Sequence, residues 1–303
     1  MKEPTLKIYS AIVFAMVFWA LSFVWYKQVL VFLNPVSLVL FRLIISSIIL
    51  WIFTSLTGKL QKLKRRDIGS ILLLSFFQPF LYFVGESYGM NYVSSTLGSV
   101  IISTIPLFTP IAAAYFLKEK LAFSNYLGLV LSFSGVAILI LQNNKDLQIN
   151  PIGIVFLLLS VFAAVAYGMI LIKKASNYNT ITLITYQNTF GIAWFLPMFI
   201  ILDVPHLSAE NFDSSMWLPL LQLAFFASSL AFIFFTYGIR QIGISRANIF
   251  TNLIPVFTAF FAWLILNETL TLTKMIAIGI TISGLFLSQI KFKPHAKTTL
   301  SSQ

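Results

Sequence analysis

Cysteine is absent from the 303 residues, so the chain has no disulfide, thiolate nucleophile or cysteine-held metal. Histidine is almost absent: His206 and His295 both stand in polar stretches outside any apolar run. Acidic side chains number only nine, and they are scattered. These shortages remove the usual ingredients of a metal centre or an acid–base active site, so neither catalysis nor a cofactor or metal is expected. Charge as a whole is scarce. Asp, Glu, Lys and Arg make up 10% of the chain, against roughly 25% in a soluble domain. Hydrophobic residues make up 58%. A chain with so little polar surface cannot cover itself in water, so most of it must be solvated by lipid.

What the chain does have is a series of long apolar runs. A helix needs about 20 apolar residues to cross the hydrocarbon layer. Ten stretches meet this need: 8–30, 35–56, 68–88, 94–116, 125–141, 151–172, 180–202, 217–237, 247–266 and 274–290. The first follows Lys2 and Lys7 in the manner of a signal peptide. It is too long for the apolar core of one and lacks a small-x-small cleavage site, so it reads as a retained helix. The connections are short, and the longest, 203–216, is polar and acidic.

Lysine and arginine set the expected orientation. With the N-terminus in the cytoplasm, all but four of the 20 fall on the cytoplasmic side. Lys27, Lys145 and Lys274 fall outside, and Arg42 lies within a span. Both termini are therefore expected inside a bacterial-type inner membrane. The net charge of +11 then reads as an orientation signal and an attraction to anionic membrane lipid, not as a nucleic-acid site.

The chain also repeats. Displaced by 149 residues, 88–139 matches 237–288 at 12 of 52 positions without a gap, against roughly four by chance at this composition. The matches include Pro106 with Pro255, Glu119 with Glu268 and Gly135 with Gly284. Five helices per half is an odd number, so the second half should be upside down relative to the first, the inverted-repeat plan of many secondary transporters. The expected fold is therefore an all-α membrane protein of ten transmembrane helices in two inverted five-helix repeats, 1–145 and 146–290, followed by a basic tail, 291–303.

Two features carry a family resemblance. One is the stretch from Ile105-Pro-Leu-Phe-Thr-Pro to Glu119 with its echo from Ile254-Pro-Val-Phe-Thr-Ala to Glu268. The other is the glycine-containing last helix of each half, around Gly135 and Gly284. Together they resemble the ten-helix EamA-domain members of the drug/metabolite transporter superfamily, over essentially the whole chain. The resemblance implies a carrier of small metabolites and leaves the substrate open. Members usually have glycine just before the two glutamates, where this chain has Lys118 and Asn267.

Polar residues inside spans are costly, so each needs a reason. Thr96, Ser99 and Ser103 share one face of the fourth helix, and the 149-residue displacement places Ser245, Asn248 and Asn252 on the ninth. Such hydroxyls either bond to their own helix or line a cavity. Pro106 and Pro255, near mid-helix, either kink the helices for packing or let them bend as gates. Gln78, Tyr82 and Glu86 form a stripe on the third helix. Arg42 on the second helix either snorkels outward or pairs, with Glu86 as the available partner. Glu86 itself is a candidate for a substrate amine or a proton. Trp19, with Ser22 one turn away, and Tyr167, beside Ala163 to Ala166, are the aromatic cavity candidates. Glu119 and Glu268, at helix C-termini, read as structural corners that bond the N-terminus of the next helix or a lysine.

One central cavity is thus expected, lined by Trp19, Ser22, Gln78, Tyr82, Ser99, Ser103, Tyr167, Asn248 and Asn252. Hydroxyls, amides and aromatic rings suit a zwitterionic or neutral small solute, such as an amino acid, moved by alternating access. A sugar phosphate would want more buried cations than Arg42 alone. A flippase of lipid-linked sugars on the same fold is the alternative; a membrane-embedded enzyme would need acids or histidines that the spans lack.

Overall fold

The computed structural model describes residues 6–117, 123–141, 150–174, 178–242, 247 and 250–289. Among them there is no strand. Eight helices are long and apolar enough to cross a bilayer: α1 Leu6–Val29, α2 Pro35–Thr57, α3 Arg65–Tyr92, α4 Ser95–Phe116, α5 Phe123–Leu141, α6 Pro151–Leu171, α7 Thr180–His206 and α8 Ser214–Gly238. Two shorter apolar helices, α9 Phe250–Leu266 and α10 Leu272–Ser288, complete a set of ten. The polarity of the bundle is that of a membrane protein. Ser37, Arg42, Ser46, Glu86 and Asn188 are buried, whereas Leu56, Tyr115 and Ile201 face outward. Lipid, not water, suits that surface.

The polar stretch 203–216, expected as a plain connection, is largely folded. α7 continues to His206, a tight turn occupies Ala209–Phe212, and the Asp213 side chain accepts from the Ser215 backbone N–H to cap α8.

Several spans are irregular. α3 breaks at Gln78, whose φ of −146° and ψ of 117° are non-helical. The cause is local: Pro79 disfavours helical geometry in the residue before it and has no N–H to donate. α8 widens into a π-helix over Leu223–Leu230, where Ser229 bonds the carbonyl of Ala224, five residues back. α4 is interrupted at residues 103–104, and α9 opens with the tight turn Phe250–Leu253. Pro106 and Pro255 are therefore not mid-helix residues, as the sequence suggested. Each stands second in a new helical segment, Ile105–Leu117 and Ile254–Leu266, where the missing N–H would have no helical partner anyway. At the break in α4, the Ser103 hydroxyl donates to the Val100 carbonyl at 2.7 Å and the Thr104 hydroxyl to the Ile101 carbonyl at 2.6 Å.

The helices pack in a regular pattern. α1 lies against α8 and α9, and α6 against α3 and α4; α2 pairs with α7, α4 with α9, and α5 with α10. Exchanging each helix for the one five places along leaves this set unchanged. The α5–α10 pair is built on small residues. A Cβ at Gly284 would meet backbone, 2.7 Å from the Gly128 carbonyl oxygen and 2.9 Å from Ser132 Cα, so nothing larger allows this approach.

Hydrogen bonds close both ends of the bundle. At one end the Gln61 side-chain carbonyl accepts from the Asn179 N–H at 2.5 Å, and the Gln61 N–H donates to the Thr182 hydroxyl at 2.9 Å. At the other end Asp203 accepts from the Ser37 N–H at 2.6 Å and the Ser37 hydroxyl at 2.5 Å, capping α2 from α7. Glu268 does the same for α4, accepting from the Ser95 N–H and the Thr96 hydroxyl, both at 2.8 Å. Its hydrogen-bond partner is thus a helix of the other half, where the sequence suggested the next helix in the chain or a lysine. A carboxylate is favoured at each of these N-termini by the unpaired N–H groups and the helix dipole. Asn267, just before Glu268, takes the left-handed conformation at φ 55°, which asparagine tolerates where glycine is the usual residue. Lys118 and Glu119 lie outside the described residues.

Candidate functional site

The break in α3 frees a backbone carbonyl. With the helical pattern lost at Gln78, its backbone carbonyl accepts from the Gln187 side-chain amide at 3.5 Å. The Gln187 carbonyl oxygen accepts in turn from the Tyr167 hydroxyl at 3.3 Å. Helix α7 comes this close to the break because residue 191 is glycine; a Cβ there would sit 2.5 Å from Pro79 Cγ. Around this junction lies a cavity lined by Gln78, Pro79, Phe83, Tyr167, Ile184, Gln187, Asn188 and Phe232, from α3, α6, α7 and α8. Its volume is about 20 Å³, room for about one water molecule and for no metabolite.

A buried charge network adjoins the cavity. Arg42 on α2 is 2% exposed and Glu86 on α3 is 4% exposed, and Arg42 Nη1 lies 3.7 Å from Glu86 Oε2. Arg42 Nη1 also donates to the Tyr26 hydroxyl at 2.8 Å, and its Nε donates to the Ser228 hydroxyl. The Phe83 ring lies 4.4 Å from the guanidinium carbon, a cation–π contact. Tyr82 donates to Glu86 Oε1 at 3.0 Å. One turn from Arg42, Ser46 accepts from the Asn188 amide at 2.9 Å and shares a hydrogen bond with Ser229, also at 2.9 Å. The π-helical stretch of α8 presents Ser228 and Ser229 together to Arg42 and Ser46, a common use of such bulges at functional positions. Phe83 and Asn188 each line the cavity and touch this network, so the two adjoin.

The nine residues expected to line one cavity are distributed as follows. Gln78 and Tyr167 line it. Tyr82 stands behind it on Glu86. Trp19 packs its ring against Phe232 and Phe235, at 5.2 and 5.0 Å between centroids, so it touches the wall through Phe232. Ser22, Ser99 and Ser103 donate to the carbonyls of Trp19, Thr96 and Val100 in their own helices. A hydroxyl satisfied by its own helix needs neither cavity nor water, and none of the three is among the lining residues. Asn252 is buried in the turn that opens α9. Asn248 lies outside the described residues.

Sequence reasoning passed over Gln187 and Asn188 as site residues. Their signal was present: adjacent carboxamides in the middle of an apolar run are as costly as the asparagines of α9. Ser46, Ser228 and Ser229 gave no signal, because serine in a span is common and their contacts join helices far apart in sequence.

An all-helical apolar bundle with eight helices of spanning length has the form of a multi-pass membrane protein. Comparison with known proteins specifies which. The model of the EamA-like transporter family matches residues 6–141 and 151–289. The chain belongs to the EamA-like transporter family. It is similar to an uncharacterized transporter of Archaeoglobus fulgidus, 26% identical over 282 residues, covering 93% of this chain and 98% of that one. The uncharacterized transporter YdfC of Bacillus subtilis is 27% identical over 294 residues, 96% of this chain and 94% of its own. The WAT1-related protein At3g02690, chloroplastic, of Arabidopsis thaliana is 24% identical and covers 94% of this chain and 70% of its own. A solved structure described only as the crystal structure of a protein shares the fold, with a TM-score of 0.67 and 14% identity over 92% of this chain and 95% of its own. This EamA-like chain is thus an integral, multi-pass membrane protein of a transporter family.

Proposed function

We propose that the protein is a secondary transporter that carries a small zwitterionic or neutral metabolite by alternating access. The observation that carries this reading is the cavity at the break in α3, where amides and aromatic rings from both halves meet beside a buried pair of opposite charges. The pair has no net charge, so the site favours a solute that is itself neutral overall. The two halves are related as inverted repeats, a relation supported by the matching residues of α4 and α9 and by the helix contacts that survive exchange of the halves. Hydrogen bonds at both ends, Ser37 with Asp203 and Gln61 with Asn179, then belong to a closed intermediate. Opening one set at a time exposes the site to one side of the membrane. The breaks before Pro106 and Pro255 are the places where α4 and α9 bend. Lysine and arginine placement supports cytoplasmic termini in a bacterial inner membrane.

Reconstitution into liposomes tests the reading. Vesicles loaded with the small-molecule fraction of a bacterial extract should show saturable exchange, and one external solute should accelerate release of its own labelled form. Flux that rises linearly with concentration, without such acceleration, would exclude a carrier.

A further inference from the structure

Arg42 has more donors than the protein uses. A guanidinium carries five N–H groups in a fixed fork. Its Nε is taken by Ser228 and one donor of Nη1 by Tyr26. Nη2 has no hydrogen-bond partner among the described residues. Glu86 does not fill the vacancy. Its Oε2 stands 3.7 Å from Nη1, beyond the about 2.7–2.9 Å of a charge-assisted hydrogen bond, while its Oε1 takes the Tyr82 hydroxyl at 3.0 Å. Glu86 Oε2 is buried without a hydrogen-bond partner, and an unsatisfied buried group is costly. A cation with its fork partly open and an anion held apart from it are poor packing for a purely structural pair. They are well arranged for two groups that each receive half of a ligand.

Resting on the transport reading above, we propose that the Arg42–Glu86 pair is the receptor for an α-amino acid. The solute's carboxylate takes the open Nη donors of Arg42, and its ammonium takes Glu86, with Tyr82 holding that carboxylate in place. The solute's side chain lies in the neighbouring cavity, past Phe83, among Gln78, Tyr167, Ile184 and Phe232, once the site opens. Charge balance selects this class. A zwitterion leaves the buried site neutral. A carboxylate without an ammonium leaves Glu86 uncompensated, and an amine without a carboxylate leaves Arg42 uncompensated; both are strongly disfavoured away from water.

The test uses the purified full-length protein and its melting point with each of the twenty protein L-α-amino acids in turn, since a ligand of the folded state raises it. At least one is expected to raise it by several degrees. The α-carboxamide of that amino acid, its decarboxylated amine and its deaminated acid should each bind at least about a hundredfold more weakly. Glu86→Gln removes the anion, so the order should reverse, with the deaminated acid binding better than the amino acid. Replacing a merely structural partner would not reverse a preference. Where Glu86→Gln fails to fold, the wild-type series decides. An amide or amine that binds as well as its parent overturns the proposal. So does a folded wild-type protein that responds to none of the twenty. If the liposomes exchange a solute that is not zwitterionic, the receptor proposal falls and the transport reading stands.

Discussion

Removing Arg42 while leaving Glu86 should destabilise the protein more than removing both. At 3.7 Å and an effective dielectric of about 20, the attraction between the two charges is about 4 kcal/mol. Arg42→Met loses that attraction and leaves a carboxylate buried among Tyr26, Tyr82 and Phe83, and breaking a buried pair typically costs about 3–5 kcal/mol. It also leaves the hydroxyls of Tyr26 and Ser228 without their cationic donor, though each can rotate its own proton to a new partner. Arg42→Met with Glu86→Gln removes both charges and keeps an acceptor for Tyr82. Replacing a buried pair by neutral groups of similar volume is often neutral or mildly stabilising, so most of the loss should return. The assay is thermal unfolding of the two variants and Glu86→Gln in one detergent, read as a double-mutant cycle. A coupling of about 2 kcal/mol or more is expected. Additive effects of the two substitutions, or a double variant worse than Arg42→Met alone, would refute the view that the two charges balance each other.

Other outcomes follow from the same structure. Gly284→Leu should lower the melting point through a clash worth about 1–3 kcal/mol, because its side chain would meet the backbone of α5; Gly279→Leu, with open space at its Cβ, is the neutral control on the same helix. Asn188→Leu should abolish exchange in liposomes while leaving the protein folded and inserted, since it removes an amide that both lines the cavity and holds Ser46. Asp213 is held below the usual carboxylate range by hydrogen bonds from the Ser215 hydroxyl and backbone N–H. Its contribution to stability is therefore present above the ordinary aspartate pKa of about 4 and disappears as pH falls through the lower, folded value. Asp213→Asn should remove that acid-side dependence from a series of melting points.

The fold was legible because its signals are local and repeated. Apolar runs of spanning length mark the helices, and the 149-residue repeat from Tyr88 to Leu139 marks two halves. Of the candidate site, the sequence marked Arg42, Glu86 and Gln78 as costly in a span and Tyr167 by its small neighbours; Arg42 and Glu86 pair, and Gln78 and Tyr167 line one cavity. The serines of α4 look alike in sequence whether they face a cavity or their own backbone; Ser99 and Ser103 face the backbone. Pro106 and Pro255 misled for a related reason. A proline in an apolar run predicts a perturbed helix, but not whether the helix bends around it or restarts just before it. Ser46, Ser228 and Ser229 matter through contacts made when α2 meets α7 and α8, which no single stretch of sequence records.

The absence of cysteine in the natural chain allows the most direct test. Ile184→Cys places one thiol in the wall of the cavity. Membrane-impermeant thiol reagents are applied to right-side-out and to inside-out vesicles, and the rate of modification is measured from each side. Alternating access predicts reaction from both sides, with each rate lowered by a transported solute. Reaction from one side alone, however long the exposure, would contradict a site that faces each side of the membrane in turn.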